Sequence, residues 1–195
     1  PMFNFPCGPD VEEYHNWALE IASGSILWNE PKIHSPLYPF MLGAFYYFLS
    51  PVVWLLRIFQ SIAGFLLVFP LLIVLKKIIR ANDVIIFIFA LIWLFYPPLI
   101  YYQAELISEN LELAFLVFAI TALYLSEAEN IILNLPKSSF VIASGLFSGL
   151  AILSHPIAIF FALFETLYVL TASGIKKSIL FCVAVLILIS PVLLY

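Results

Sequence analysis

The chain has 195 residues, 64% hydrophobic and 10% charged, with a mean hydropathy of +1.10 and a formal net charge of −4. A soluble domain averages roughly 45–50% apolar and about 25% charged, so the composition excludes an ordinary soluble enzyme and describes a multi-pass membrane protein. Eight basic residues leave no patch for a phosphate backbone, which excludes nucleic acid as a partner, and the distant Cys7 and Cys182 say nothing of redox compartment.

In chain order the first feature is acidic. Asp10-Val11-Glu12-Glu13-Tyr14-His15 stands just ahead of the first long apolar run, and carboxylates gather at the edge of hydrocarbon only for a reason. Asp10 followed by Glu13 has the spacing of a capping box, with Asp10 as N-cap. Val11, Tyr14, Trp17, Ala18, Ile21 and Ala22 recur at helical spacing, while Glu12, Glu13, Asn16 and Glu20 take the other face. Gly24 suits the position that ends such a helix. The pattern predicts a helix over 11–23, roughly 20 Å long. That is too short to span, so it is expected to lie along the membrane surface. A loop from Trp28 to Pro36 carries Lys32 and His34. A second short apolar stretch, Leu37 to Leu49, has the aromatic content of the headgroup boundary.

Runs of the length a membrane span needs, about 20 residues, dominate the remainder of the chain. Six are expected, at 52–75, 84–102, 106–125, 139–155, 157–172 and 178–195. Alternating crossings put Lys76, Lys77, Arg80, Lys137, Lys176 and Lys177 on one side, and only Lys32 and Arg57 on the other. The lysine-rich side is then cytoplasmic. Residues 1–50 become an outer loop with juxtamembrane helices, and 51–195 a transmembrane region of about six helices. Asp10, Glu12, Glu13, Glu20, Glu30 and Glu105 share the outer face, with Glu109 just inside its edge. Pro1 is no initiator, no basic leader opens the chain, and the last run ends at Tyr195 without a polar flank. The chain therefore reads as a fragment of a longer protein.

Glu105, Glu109 and Glu112 stand at i, i+4 and i+7, on one stripe of the third span. A helix start favoured by the N-terminal dipole accounts for Glu105. Glu109 and Glu112 lie one and two turns deeper, where a functional site or a buried polar network competes with that reading. Lys32 and His34 could clamp an anionic headgroup or be plain surface residues. Arg57, with Gln60 one turn below, could snorkel to the interface. The small residues at 144, 145, 148 and 149 suit close helix packing ahead of His155-Pro156. Glu165 sits in an apolar run with no evident partner beyond Thr166 or Tyr168. No phosphate-binding glycine loop, zinc spacing or nucleophile elbow occurs.

The order of these features is itself a pattern. An acid opens a short outer helix that closes with Ile21-Ala22-Ser23-Gly24. Next come Ser35-Pro36-Leu37-Tyr38-Pro39 and Arg57-Ile58-Phe59-Gln60-Ser61, then the acidic turn Glu105 to Glu109, then Gly145-Leu146-Phe147-Ser148-Gly149-Leu150-Ala151 leading to His155-Pro156. This resembles the GT-C membrane glycosyltransferases, in particular the dolichyl-phosphate-mannose protein mannosyltransferase-like group. That group includes bacterial transferases that add aminoarabinose or galacturonic acid to lipid A and core sugars. The resemblance covers nearly the whole chain, and it implies an all-α, polytopic helical bundle with a juxtamembrane helical loop on its outer face.

The resemblance also implies a catalytic acid in the first outer loop, where Asp10 matches. A second acid is implied at the next outer turn, where Glu105 is the nearest match and Glu109 the fallback. Where the family often has Arg or Lys at the end of the Gly-rich helix, this chain has His155. The implied reaction is inverting transfer of a sugar from a polyprenyl-phosphate donor to a hydroxyl of a lipid, glycan or protein acceptor. It would run on the outer face of a plasma or inner membrane, with Asp10 as general base. Glu13, Tyr14, Lys32, His34, Tyr38, Arg57 and His155 are the substrate-binding residues expected around it. A divalent cation is the one cofactor left open, with no ligand set assigned. The alternative from another class is a proton-coupled transporter or lipid flippase using Glu109, Glu112 or Glu165. A non-catalytic membrane subunit with the same fold is a third.

Overall fold

The computed structural model describes residues 8–25, 34–77, 79–127 and 136–193. Within them every regular element is helical, and no strand occurs. Helix α1 (Pro9–Ser23) opens on Gly8 at φ 112°, with Pro9 in its first turn. Proline is favoured there because its φ is already helical and its missing N–H would have had no partner. Asp10 therefore lies inside the first turn and makes no capping hydrogen bond, so the capping box expected of Asp10 and Glu13 does not form. The other end is as expected. Gly24 turns left-handed at φ 71°, and the Ser25 N–H reaches back to the Glu20 carbonyl at 3.0 Å.

Fifteen residues of helix reach about 22 Å, less than a bilayer crossing. α1 instead lays Val11, Tyr14 and Ala18 on α2 (Leu37–Leu49), where they share a buried cluster with Tyr38, Leu42, Tyr46, Val53, Leu56 and Leu106. Ile21 and Ala22, expected on the same face, are only half-buried.

Among the described residues five helices are long and apolar enough to cross a membrane: Val53–Lys77, Glu109–Glu127, Lys137–Ser154, Pro156–Ser173 and Ile175–Val192. The first divides into α3 (Val53–Leu66) and α4 (Val68–Lys77), because Pro70 has no N–H for the Leu66 carbonyl. The remaining expected run is a bent pair, α5 (Asp83–Phe95) and α6 (Pro97–Ala104), meeting at 47°. Proline drives the residue before it out of helical backbone, and Tyr96, ahead of Pro97-Pro98, is extended at ψ 109°. Lys76 near the end of α4 pairs with Asp83 at the start of α5. At the other end Arg57 in the second turn of α3 meets Glu105, just beyond α6. The bent pair thus runs antiparallel along the full length of α3 and α4. The molecule is an all-helical integral membrane protein, and its exposed Phe87, Phe95, Phe160, Leu167 and Ile187 suit a lipid-facing surface.

α7 (Glu109–Glu127), α8 (Lys137–Ser154), a 3-10 turn (Pro156–Ala158), α9 (Ile159–Ser173) and α10 (Ile175–Leu193) complete the chain. α8 is the central helix, packed closely on both α7 and α10. Lipid is as apolar as a leucine side chain, so helices associate through close packing, and α8 provides it with buried Ser144, Gly145, Ser148, Gly149 and Ala151. A Cβ on Gly145 would sit 2.6 Å from the Phe181 carbonyl oxygen of α10. Backbone cannot move aside without parting the helices. Gly145→Ala is therefore expected to cost about 1–3 kcal/mol, read as a lowered thermal midpoint in detergent. An unchanged midpoint would mean that α8 and α10 do not touch this closely.

Candidate functional site

The acid-rich end of the molecule is organised around the turn between α6 and α7. This turn leaves backbone carbonyls that must find donors, and α3 provides them. Gln60 Nε2 donates to the carbonyls of Gln103 at 3.1 Å and Glu105 at 2.6 Å, while its Oε1 accepts the Tyr38 hydroxyl at 2.9 Å. Asn110 Nδ2 donates to the carbonyls of Tyr102 at 2.6 Å and Glu105 at 3.2 Å. Arg57 and Glu105 form an ion pair at 3.4 Å, with side chains 12% and 19% exposed. One glutamine thus joins α2, α3 and the turn, and Tyr38 is completely buried at the junction.

Beyond this junction the turn presents Ser108 and Glu109 to α1. The buried Tyr14 hydroxyl donates to Ser108 Oγ at 3.0 Å, and Ser108 Oγ in turn donates to Glu109 Oε2 at 3.3 Å. The Tyr14 ring lies 5.1 Å edge-on from Tyr38 and 4.7 Å from the His34 ring. His34 Nε2 stands 3.4 Å from Glu13 Oε2 and 3.7 Å from Asp10 Oδ1. Burial pushes the Tyr14 phenol above its ordinary range. The Ser108 hydrogen bond opposes this, and the negative charges of Glu109, Asp10 and Glu13 add to it. Three carboxylates from two segments far apart in sequence thus act on one hydroxyl.

Most of the residues expected to form a site lie in this region. Asp10, 69% exposed, Glu13, Tyr14, His34 and Glu109 form one connected array. Tyr38 and Arg57 belong to the support beneath it, since both are engaged by the turn or its clamp. Glu105, the nearest match for a second acid, is held by Arg57, whereas Glu109, the fallback, is the acid on the side of Asp10. His155, at the C-terminal end of α8, faces Glu112 rather than Asp10, with Nδ1 3.5 Å from Glu112 Oε2. Lys32 lies outside the described residues. Among the described residues no group of three or more His, Cys, Asp or Glu could hold a metal ion.

A second polar pair stands below, between α2 and α1. His15 Nδ1 and the Tyr46 hydroxyl are 2.8 Å apart. Burial lowers the His15 pKa and raises that of Tyr46 to about 12, the latter opposed by Arg57.

The reading of the sequence missed Ser108, Gln60 as a clamp, and Asn110. Ser108 and Asn110 carried a signal in their position, within a turn of the acidic break where carbonyls need donors, whereas Gln60 is 45 residues from Glu105 and carried none. No protein-family model matches the chain, nor does any curated protein or solved structure.

Gln60 gives this construction a direct test. Gln60→Leu keeps the volume but strands the buried Tyr38 hydroxyl and takes one donor each from the Gln103 and Glu105 carbonyls, which keep only Ser61 at 3.4 Å and Asn110 at 3.2 Å. Each stranded buried group costs about 1–3 kcal/mol. A loss of several degrees in thermal midpoint, with protease cleavage newly admitted near the α6–α7 turn, is the expected outcome. Wild-type resistance would show that the turn does not rely on this side chain.

Proposed function

We propose that this protein is a membrane glycosyltransferase of the GT-C type. It moves a sugar from a polyprenyl-phosphate donor to an acceptor hydroxyl on its outer face, with Asp10 as general base. The observation that carries this reading is the array of Asp10, Glu13, His34, Tyr14, Ser108 and Glu109 at one end of an otherwise apolar helical bundle. A phosphate leaving group departs with little need of a proton. The remaining demand is to remove one from the acceptor hydroxyl, which a positioned, water-accessible carboxylate does.

Asp10 has the required freedom. It caps nothing and its side chain is largely exposed, with His34 beside it. Glu13 is held by the same histidine, and Glu109 by Ser108. Asp10 is the acid of the three with the weakest structural employment. Charge that grows on the departing phosphate needs donors, and His34 is the cationic or N–H donor beside this acid.

A proton-coupled carrier is the second reading, favoured by Glu112 and Glu165, both buried between helices, and by the broken α5–α6 pair. The two readings part at Asp10. Asp10→Asn removes the base, loses only an exposed contact to His34, and should leave folding unchanged. Sugar transfer from a polyprenyl-phosphate donor, assayed with the full chain in lipid, should fall by about 10²–10⁴-fold, while Glu12→Gln stays close to wild type. Normal transfer by Asp10→Asn would defeat the assignment of the base.

A further inference from the structure

Glu165 is the acid that the outer site does not use. It lies midway along α9, 8% exposed, in a segment otherwise apolar. Neither neighbour in sequence holds it, since Thr166 Oγ1 donates to the Ala162 carbonyl at 2.7 Å. Its partner comes from α8: Ser148 Oγ meets Glu165 Oε2 at 2.5 Å and also donates to the Ser144 carbonyl at 2.9 Å. Glu165 Oε1 is buried without a hydrogen-bond partner. A carboxylate half-satisfied inside a membrane is costly, and such residues mark sites where something binds.

Glu165 also forms part of the wall of a cleft. α9 leans on α8 and α10, leaving a space of about 490 Å³ beside α7, lined among others by Tyr124, Glu127, Phe164, Glu165 and Tyr168. Pockets for small molecules run from about 300 to 1,000 Å³. Its two ionisable acids are of one sign. Glu127, at the end of α7, hydrogen-bonds Ser173, which also accepts from Lys177 Nζ at 3.4 Å. Lys177 is thus engaged with Ser173 beside Glu127, and no cation is among the residues that line the cleft around Glu165. Two carboxylates with three aromatic rings make a wall that suits an organic ammonium, through ion pairing and cation–π attraction.

We propose that the α7–α9 cleft binds a protonated amine on an apolar body, with Glu165 as its anchor and Ser148 as the residue that orients the anchor. Oε1, which has no partner, accepts the N–H of the incoming ammonium while Oε2 stays on Ser148. The apolar body of the ligand lies against Tyr124, Phe164 and Tyr168, and Glu127 attracts the amine at the mouth. This site is separate from the outer array and stands whether or not Asp10 is a catalytic base.

The test uses the full chain in dodecyl maltoside micelles, with octylammonium as the probe and octanol and octanoate as controls of equal chain length. Affinity is read by isothermal titration and by the ligand-dependent rise in thermal midpoint. Octylammonium should bind at least about ten-fold tighter than octanol, the value of one charge-assisted hydrogen bond. Glu165→Gln, which keeps shape and the Ser148 contact, should abolish that preference with an unchanged unliganded fold. Ser148→Ala should reduce it several-fold, and Tyr168→Leu should weaken binding while leaving the acid in place. Added phosphatidylethanolamine separates two sources of the same chemistry. Competition identifies a lipid-borne amine, and retained octylammonium binding without competition identifies a free one. Equal binding of octanol and octylammonium, tighter binding of octanoate, or full amine preference in Glu165→Gln would overturn the proposal.

Discussion

The carbonyls of Gln103 and Glu105 emerge where α6 stops and α7 has not begun, at a point enclosed by α2 and α3. Buried backbone acceptors need donors, and the Gln60 amide reaches both while its oxygen accepts from Tyr38. Much of the upper half depends on this. The clamp fixes the level at which the bent α5–α6 pair ends beside α3. It sets Leu106 into the cluster under α1, and it puts Ser108 where the Tyr14 hydroxyl meets it. Without that register, α1 would rest on the bundle with its acids unrelated to Glu109.

The lower half obeys a different constraint. α7, α8, α9 and α10 are apolar outside and gain little by hiding from lipid, so closeness of packing decides their arrangement. α8 meets α10 through glycine and α9 through Ser148, the one polar bond between α8 and α9 among the described residues. The acids of the two parts are held differently: Asp10 and Glu13 stand beside His34 and Glu105 beside Arg57, whereas Glu165 meets Ser148 in an apolar setting.

Much of this was legible in the sequence, for reasons that differ by element. The spans come from the length of the apolar runs. The α1 face comes from helical spacing at Val11, Tyr14, Trp17 and Ala18, with Gly24 as its stop. The start of α1 was misread because two signals overlapped. Asp10 with Glu13 imitates a capping box, but Gly8-Pro9 begins the helix first and leaves Asp10 inside it. The Pro97-Pro98 break was present in the sequence and hidden by the hydropathy around it. The partners of Glu165 and Tyr14 were not legible. Ser148 and Ser108 are 17 and 94 residues away, and only the packing of helices brings them together. The same holds for the different surroundings of Glu105 and Glu109, the first paired with Arg57 and the second with Ser108.

The central claim is that α1 and its acids face the side opposite the lysine-rich loops. Impermeant maleimide labelling of intact cells tests it directly, with single cysteines at Glu12→Cys or Lys176→Cys in a chain whose Cys7 and Cys182 are replaced by serine. The account predicts that Glu12→Cys is labelled on intact cells and that Lys176→Cys is labelled only after the membrane is permeabilised. Labelling of Lys176→Cys on intact cells with Glu12→Cys protected would turn the protein over and contradict an outer acidic site.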